Sequence, residues 1–112
     1  MGEMRLAQVL ANLISNAADA VAGRERRVVT VSVRGKDELV EFVVDDSGPG
    51  LTPDVRERIF EPWFTTKGHR GTGLGLAICR QYVSLAGGQL TAANNEAGGA
   101  RFTLTLPLAP AA

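Results

Sequence analysis

The apolar period changes repeatedly along this chain, and the order of the changes restricts the fold more than any single motif. Residues 5–22 repeat at helical spacing through Leu6, Leu10, Leu13, Ala17 and Ala20, with Val9 and Ile14 at the edges of the stripe. Gly23 is a natural stop. Residues 27–34 then alternate, with Val29, Val31 and Val33 on one face, and residues 39–46 alternate again through Val40, Phe42 and Val44. Gly35-Lys-Asp-Glu38 joins them as a hairpin loop. Ser47-Gly-Pro-Gly50 is irregular, and Thr52 caps a short helix with Pro53 at its first position and Asp54 in its first turn. Residues 61–72 carry no period and read as a loop. A helix over 73–86 ends at Gly87-Gly88, and strands at 89–94 and 101–107 turn at Glu96-Ala-Gly-Gly99. Helix, hairpin, short helix, loop, helix, hairpin is the order of an α+β sandwich with a mostly antiparallel sheet. It lacks the repeated strand–helix–strand units of a doubly wound nucleotide fold.

The 112 residues suit one domain, 1–112, with only the tail 109–112 loose. A formal net charge of zero argues against a nucleic-acid surface, and Arg24, Arg26 and Arg27 read as a solvated turn. The lone Cys79 excludes an internal disulfide and fits a reducing compartment. No apolar run is long enough to span a membrane, so no membrane contact is expected of this segment. The start at Met-Gly-Glu-Met runs almost at once into a helix, as in a piece of a longer protein.

Chemistry concentrates in four places. Gly71-Thr-Gly-Leu-Gly-Leu76 opens the last long helix. Glycines let the backbone approach a ligand, and a helix N-terminus offers free N–H groups to anions, so this run suits phosphate. Asn12, Asn16 and Asp19 lie at i, i+4 and i+7, in one stripe of the first helix. An amide oxygen such as that of Asn16 can ligate a hard cation, but a plain polar helix face explains the spacing more simply. Asp46 is in phase with Val40, Phe42 and Val44, so it points to the core side, whereas Asp45 points to solvent. An inward carboxylate needs a partner. The exocyclic amine of adenine suits it, in the space left by Gly48 and Gly50; a turn carboxylate bonding its own loop is the alternative. Finally, Phe60, Trp63 and Phe64 are half of the six aromatics, in five residues, followed by Lys67, His69 and Arg70. Such a loop pins a lid or meets a partner, and Lys67 can neutralise a terminal phosphate. A solvated loop explains His69 and Arg70 equally well.

Other phosphate motifs fail. A dinucleotide fingerprint needs glycine at position 76, where Leu76 stands, and a strand just before the run. A Walker A loop needs Gly-Lys-Ser or Gly-Lys-Thr, but Gly35-Lys36 is followed by Asp37. The single histidine, in a loop, gives no nucleophile triad.

Taken together, the segments resemble the boxes of sensor histidine kinases. Asn12-Leu-Ile-Ser-Asn16-Ala-Ala-Asp-Ala20 resembles the N box, and Asp46-Ser-Gly-Pro-Gly50 the G1 box. Phe60-Glu-Pro-Trp-Phe-Thr-Thr-Lys67 resembles the F box, and Gly71-Thr-Gly-Leu-Gly75 the G2 box. The resemblance covers nearly the whole chain. It implies the catalytic, ATP-binding domain of a two-component kinase, in the superfamily shared with gyrase, MutL and the heat-shock chaperone ATPases. Its fold is the Bergerat α/β sandwich, three helices on one face of a mixed, mostly antiparallel sheet. By resemblance, Asn16 binds the Mg²⁺ that bridges the ATP phosphates. Asp46 accepts from the adenine amine, Gly48 and Gly50 shape the pocket floor, and Asp19 is one of the nucleotide-binding residues. Gly71, Thr72, Gly73, Leu74 and Gly75 give N–H groups to the phosphates, and residues from about 61 to 72 form a lid carrying Lys67.

The chain departs from relatives at two positions. ATPases of the superfamily carry a water-activating glutamate where this chain has Asn12, an amide that cannot act as a base. That favours phosphoryl transfer over hydrolysis, with Asn12 orienting the nucleophile or a metal-bound water. Many relatives also carry Thr before the last strand, where this chain has Ala100 after Gly99. The phosphoacceptor histidine of the family sits on an upstream helical hairpin, usually dimeric, and His69 does not replace it. The resemblance therefore implies three partners: ATP with Mg²⁺, that hairpin, and a response-regulator receiver domain. It implies a cytoplasmic location even where the parent is membrane-anchored, and little turnover by this segment alone. A true ATPase and a non-catalytic nucleotide sensor are the rival readings.

Overall fold

A computed structural model describes residues 1–64 and 75–108. Seven elements follow one another: α1 (Glu3–Val21), β1 (Val29–Lys36), β2 (Leu39–Asp46), α2 (Pro53–Arg58), α3 (Gly75–Leu85), β3 (Gln89–Asn94) and β4 (Ala100–Pro107). The strands form one sheet in the order β1-β2-β4-β3, antiparallel at every pairing among the described residues. The second hairpin therefore inserts β4 beside β2, leaving β1 and β3 as the edges.

Register explains the core. Val31, Val44, Phe102 and Ala92 form one cross-strand row, and Val33, Phe42, Leu104 and Leu90 the next. Directly opposed residues share a face. α1 covers these rows with Val9, Leu13 and Ala17, and α3 adds Cys79 and Val83. Leu13 and Leu104 are wholly buried, each worth about 1.5–3 kcal/mol relative to exposure. Arg5 of α1 also lies over the Tyr82 ring of α3 at 4.6 Å.

The expected elements are present, with shifted edges. α1 starts two residues early, at Glu3, with Gly2 as a cap that offers no side-chain bond. β1 lies at 29–36 rather than 27–34. Its pairing runs through Gly35 and Lys36, because the hairpin needs only two turn residues, not four. As expected, the Thr52 hydroxyl accepts from the Val55 N–H at 3.2 Å and caps α2. α2 buries none of its own residues. Ile59 and Phe60 anchor its end against the core, where Phe60 meets Phe102 edge-on at 6.3 Å and lies under the Arg80 guanidinium at 4.6 Å. The face of β1 is partly bare: Val31 and Val33 share it with the core rows but remain 45% and 59% exposed.

Candidate functional site

α1 carries the first three candidates along one side. Asn12 and Asn16 are half-buried, and Asp19 is exposed. The Asn12 amide Nδ2 donates to Cys79 Sγ at 3.4 Å, tying α1 to α3. A β-carbon added to Gly75 would lie 3.7 Å from Asn12 Oδ1. The end of the glycine run therefore sits beside Asn12. Burial raises the Cys79 thiol above its ordinary pKa, opposed by the bond from Asn12, so the sulfur stays protonated at neutral pH.

Eight residues further along α1, the other end of the site begins. A β-carbon on Gly48 would lie 3.0 Å from the Ala20 carbonyl oxygen and 3.1 Å from the Ala20 methyl. The distance from Asn12 to Ala20 is about 12 Å at the helical rise, with Asn16 midway. The irregular loop after β2 thus abuts one end of this side of α1, and Gly75 abuts the other.

Asp46 closes the first end. It is 6% exposed, and its inward direction follows the strand parity. Its Oδ1 accepts from Gly48 N–H at 2.8 Å and from Ala100 N–H at 3.2 Å. The first bond is the loop contact of a turn carboxylate. The second crosses 54 residues to the start of β4. Both fall on one oxygen, so the carboxylate is oriented and Oδ2 takes no hydrogen bond among the described residues. Ala100 has no hydroxyl, but its backbone N–H serves Asp46 directly. Asp45, on the opposite face, pairs with Arg101 at 2.8 Å. The hydrogen bond to that carboxylate raises the Arg101 pKa further.

The floor is packed against its neighbours. Gly50, at φ +79°, leaves no room for a side chain: a β-carbon there would overlap the Gly98 carbonyl and lie 2.9 Å from Asn94 Oδ1. At Gly99 a β-carbon would overlap the carbonyl oxygen of Asp46. Only glycine permits such approaches. Asn94 and Asn95 hold this region together, and nothing in the sequence marks them except their place beside the turn at 96–99. Trp63 has φ +70° and is 71% exposed, while Phe64 is flanked by the Arg58 guanidinium at 4.9 Å. Lys67, His69, Arg70, Gly71, Thr72, Gly73 and Leu74, with most of the expected lid and the tail 109–112, lie outside the described residues. Among the described residues no group of three or more His, Cys, Asp or Glu side chains is disposed to hold a metal. No described helix is long and apolar enough to cross a membrane.

A family model described as histidine kinase-, DNA gyrase B-, and HSP90-like ATPase matches residues 1–110. The chain belongs to this ATPase family. Within it, the chain corresponds to the ATP-binding catalytic domain of sensor histidine kinases. The sensor protein FixL of Bradyrhizobium diazoefficiens is 40% identical over 95% of the chain, and the two-component sensor PprA of Pseudomonas aeruginosa 47% identical over 94%. The chain spans only 21% and 12% of those two proteins. The solved catalytic domain of histidine kinase ThkA superposes with a TM-score of 0.82 at 37% identity, over 93% of this chain and 66% of that one. Full-length ShkA, solved in complex with AMPPNP, gives 0.78 at 38% identity over 96% of this catalytic domain and 22% of that chain.

Proposed function

We propose that this domain, formed by residues 1–112, binds Mg-ATP along α1 and transfers the γ-phosphoryl group to a histidine on a separate helical hairpin. The observation that carries the reading is Asp46. Its carboxylate is fixed through Oδ1 by two backbone amides, and its second oxygen remains for the amine of adenine. Gly48 lets the loop after β2 lie directly against Ala20, and Gly50 lets it lie against the β3–β4 turn, which would set the wall beside the base. Asn16 is the metal-binding residue in this reading. Its half-buried amide oxygen suits a cation that keeps several waters and takes its other ligands from phosphates. The bound Mg²⁺ offsets the charge of the triphosphate. Asn12 faces the end of the glycine run and orients what lies there. Cys79 holds its nitrogen, and as an amide it has no basic lone pair with which to activate water. That favours transfer over hydrolysis.

Gly71, Thr72, Gly73, Leu74 and Gly75 would supply N–H groups to the phosphates, with Lys67 on a lid at about 61–72 and Asp19 at the outer end of the stripe. The work is then positioning and charge stabilisation, as expected for phosphoryl transfer. The hairpin and a response-regulator receiver domain are the protein partners, and the cytoplasm is the location, consistent with relatives many times longer than this chain. The absent hydroxyl at Ala100 would suit a pure nucleotide sensor, but the backbone of that residue still orients Asp46.

Two measurements test the proposal. Asp46→Asn should cost Mg-ATP affinity by about 2 kcal/mol, roughly thirtyfold, because an amide donor then faces the adenine amine. Unchanged affinity in a calorimetric titration would sink the adenine assignment. Mixed with a histidine hairpin from a related kinase and labelled ATP, the domain should label the hairpin; release of phosphate with no labelled hairpin would favour an ATPase.

A further inference from the structure

Two successive asparagines at the end of β3 make six side-chain bonds around the loop that follows β2. Asn94 Oδ1 accepts from Leu51 N–H at 2.7 Å, while its Nδ2 donates to the Leu51 carbonyl at 2.9 Å. The amide thereby imitates a neighbouring strand, and the paired bonds permit only one orientation of the amide. Asn95 Oδ1 accepts from Gly99 N–H at 2.9 Å and closes its own turn. Its Nδ2 points to the Asp46 carbonyl at 3.1 Å, the Asp45 carboxylate at 3.2 Å and the Ala100 carbonyl at 3.4 Å.

These bonds fall where the loop has little else. Ser47, at its start, is tied to the segment before β1: its N–H donates to the Val28 carbonyl at 3.0 Å and its hydroxyl to the Arg26 carbonyl at 2.9 Å. Gly48, Pro49 and Gly50 follow, with two of the three lacking side chains. Among the described residues, both bonds to the Leu51 backbone come from Asn94. Leu51 is half-buried and packs on the core, so its peptide sets the height of the loop above Asp46.

We propose that Asn94 and Asn95 are positioning residues for base recognition, holding the Gly48–Leu51 wall and the Asp46 backbone at the geometry that reads the adenine amine. The inference rests on the adenine reading of Asp46. It makes the β3–β4 turn, which carries none of the four boxes, a working part of the pocket. Asn94 is the sharper probe, because Asn95→Ala removes four bonds and can disorder the turn.

The test compares Mg-ATP with Mg-ITP, whose base lacks the exocyclic amine, by calorimetric titration of the 112-residue chain. The wild type should prefer ATP. Asn94→Ala should weaken ATP by about five- to tenfold and leave ITP nearly unchanged, so that the ratio of the two affinities contracts. Hydrogen exchange at the Leu51 amide should accelerate in the same variant. Asn94→Asp keeps the bond from Leu51 N–H but sets a carboxylate oxygen against the Leu51 carbonyl, so it should fall between wild type and Asn94→Ala. Equal losses for ATP and ITP, or an unchanged ratio in a variant that prefers ATP as the wild type does, would overturn the positioning role. A wild type with no preference for ATP over ITP would instead overturn the adenine reading, and this inference with it.

Discussion

The two hairpins use similar strands and opposite turns. β1 and β2 are joined by Asp37 and Glu38 alone, with Lys36 paired directly to Leu39. That turn makes one distant bond and none to the site: Asp37 takes φ +57°, and the Glu38 carbonyl accepts from Leu108 N–H at 2.8 Å, just past the end of β4. β3 and β4 are joined by five residues, 95–99, which press against the loop after β2. There Gly99 touches the Asp46 carbonyl, Gly98 faces Gly50, and Asn95 spans Asp45, Asp46 and Ala100. One turn reverses the chain and ties down the residue after β4. The other is shaped by what it must support.

Glycine substitutions give the largest contrast. Gly99→Ala drives a methyl into the Asp46 carbonyl, a backbone atom with no flexible side chain to yield. Relief requires moving the turn away from β2, which breaks the Ala100 bond to Asp46 as well. The expected loss of stability is about 3 kcal/mol or more, with nucleotide affinity falling further than stability alone explains. Gly35→Ala in the other hairpin meets nothing closer than 4.0 Å. It should change the denaturant midpoint little and ATP affinity not at all. Equal effects at the two positions would erase the distinction between the hairpins.

This contrast also explains what the sequence disclosed. The first hairpin was legible because its determinants are local: alternating valines, then a polar turn. The inward direction of Asp46 followed from parity with Val40, Phe42 and Val44, and the Thr52 cap from its neighbours Pro53 and Asp54. The roles of Asn94 and Asn95 were not legible. Their partners outside their own turn lie 43 to 50 residues away, and such spacing leaves no periodic trace. The same holds for the bond between Asn12 and Cys79, which depends on how α1 packs on α3. Gly99 read as an ordinary turn residue, although contact across the sheet, not φ, makes glycine necessary there. The bare face of Val31 and Val33 could not be anticipated either, since alternation predicts a shared face but not which neighbour covers it.

Asp37 offers a change of opposite sign. A positive φ at the first residue of a two-residue turn favours glycine, and an aspartate there retains strain. Asp37→Gly should stabilise the domain by about 0.5–1 kcal/mol and leave nucleotide affinity as it was. A thermal unfolding series with and without Mg-ATP checks both halves. If stabilising this turn altered ATP binding, the first hairpin would be coupled to the site after all.

The smallest effects come from two ion pairs on the outer face of the sheet. Arg34 and Glu41 pair at 3.1 Å across the first hairpin, with the arginine side chain 66% exposed. Arg34→Ala should cost a few tenths of a kcal/mol, roughly the value of an exposed pair, and the loss should vanish in high salt. Arg101 and Asp45 pair at 2.8 Å, but Asp45 also receives the Asn95 amide. Removing Arg101 leaves that amide as the remaining partner of the carboxylate, and Asn95 is free to shift toward it and away from the Asp46 carbonyl. Arg101→Ala should therefore weaken Mg-ATP slightly, by under about twofold at low salt, where Arg34→Ala changes it not at all. Titrations of both variants at two salt concentrations would separate them. A loss at Arg34 as large as at Arg101 would mean that charge on the outer face acts through its general field and not through the asparagine beneath Asp46.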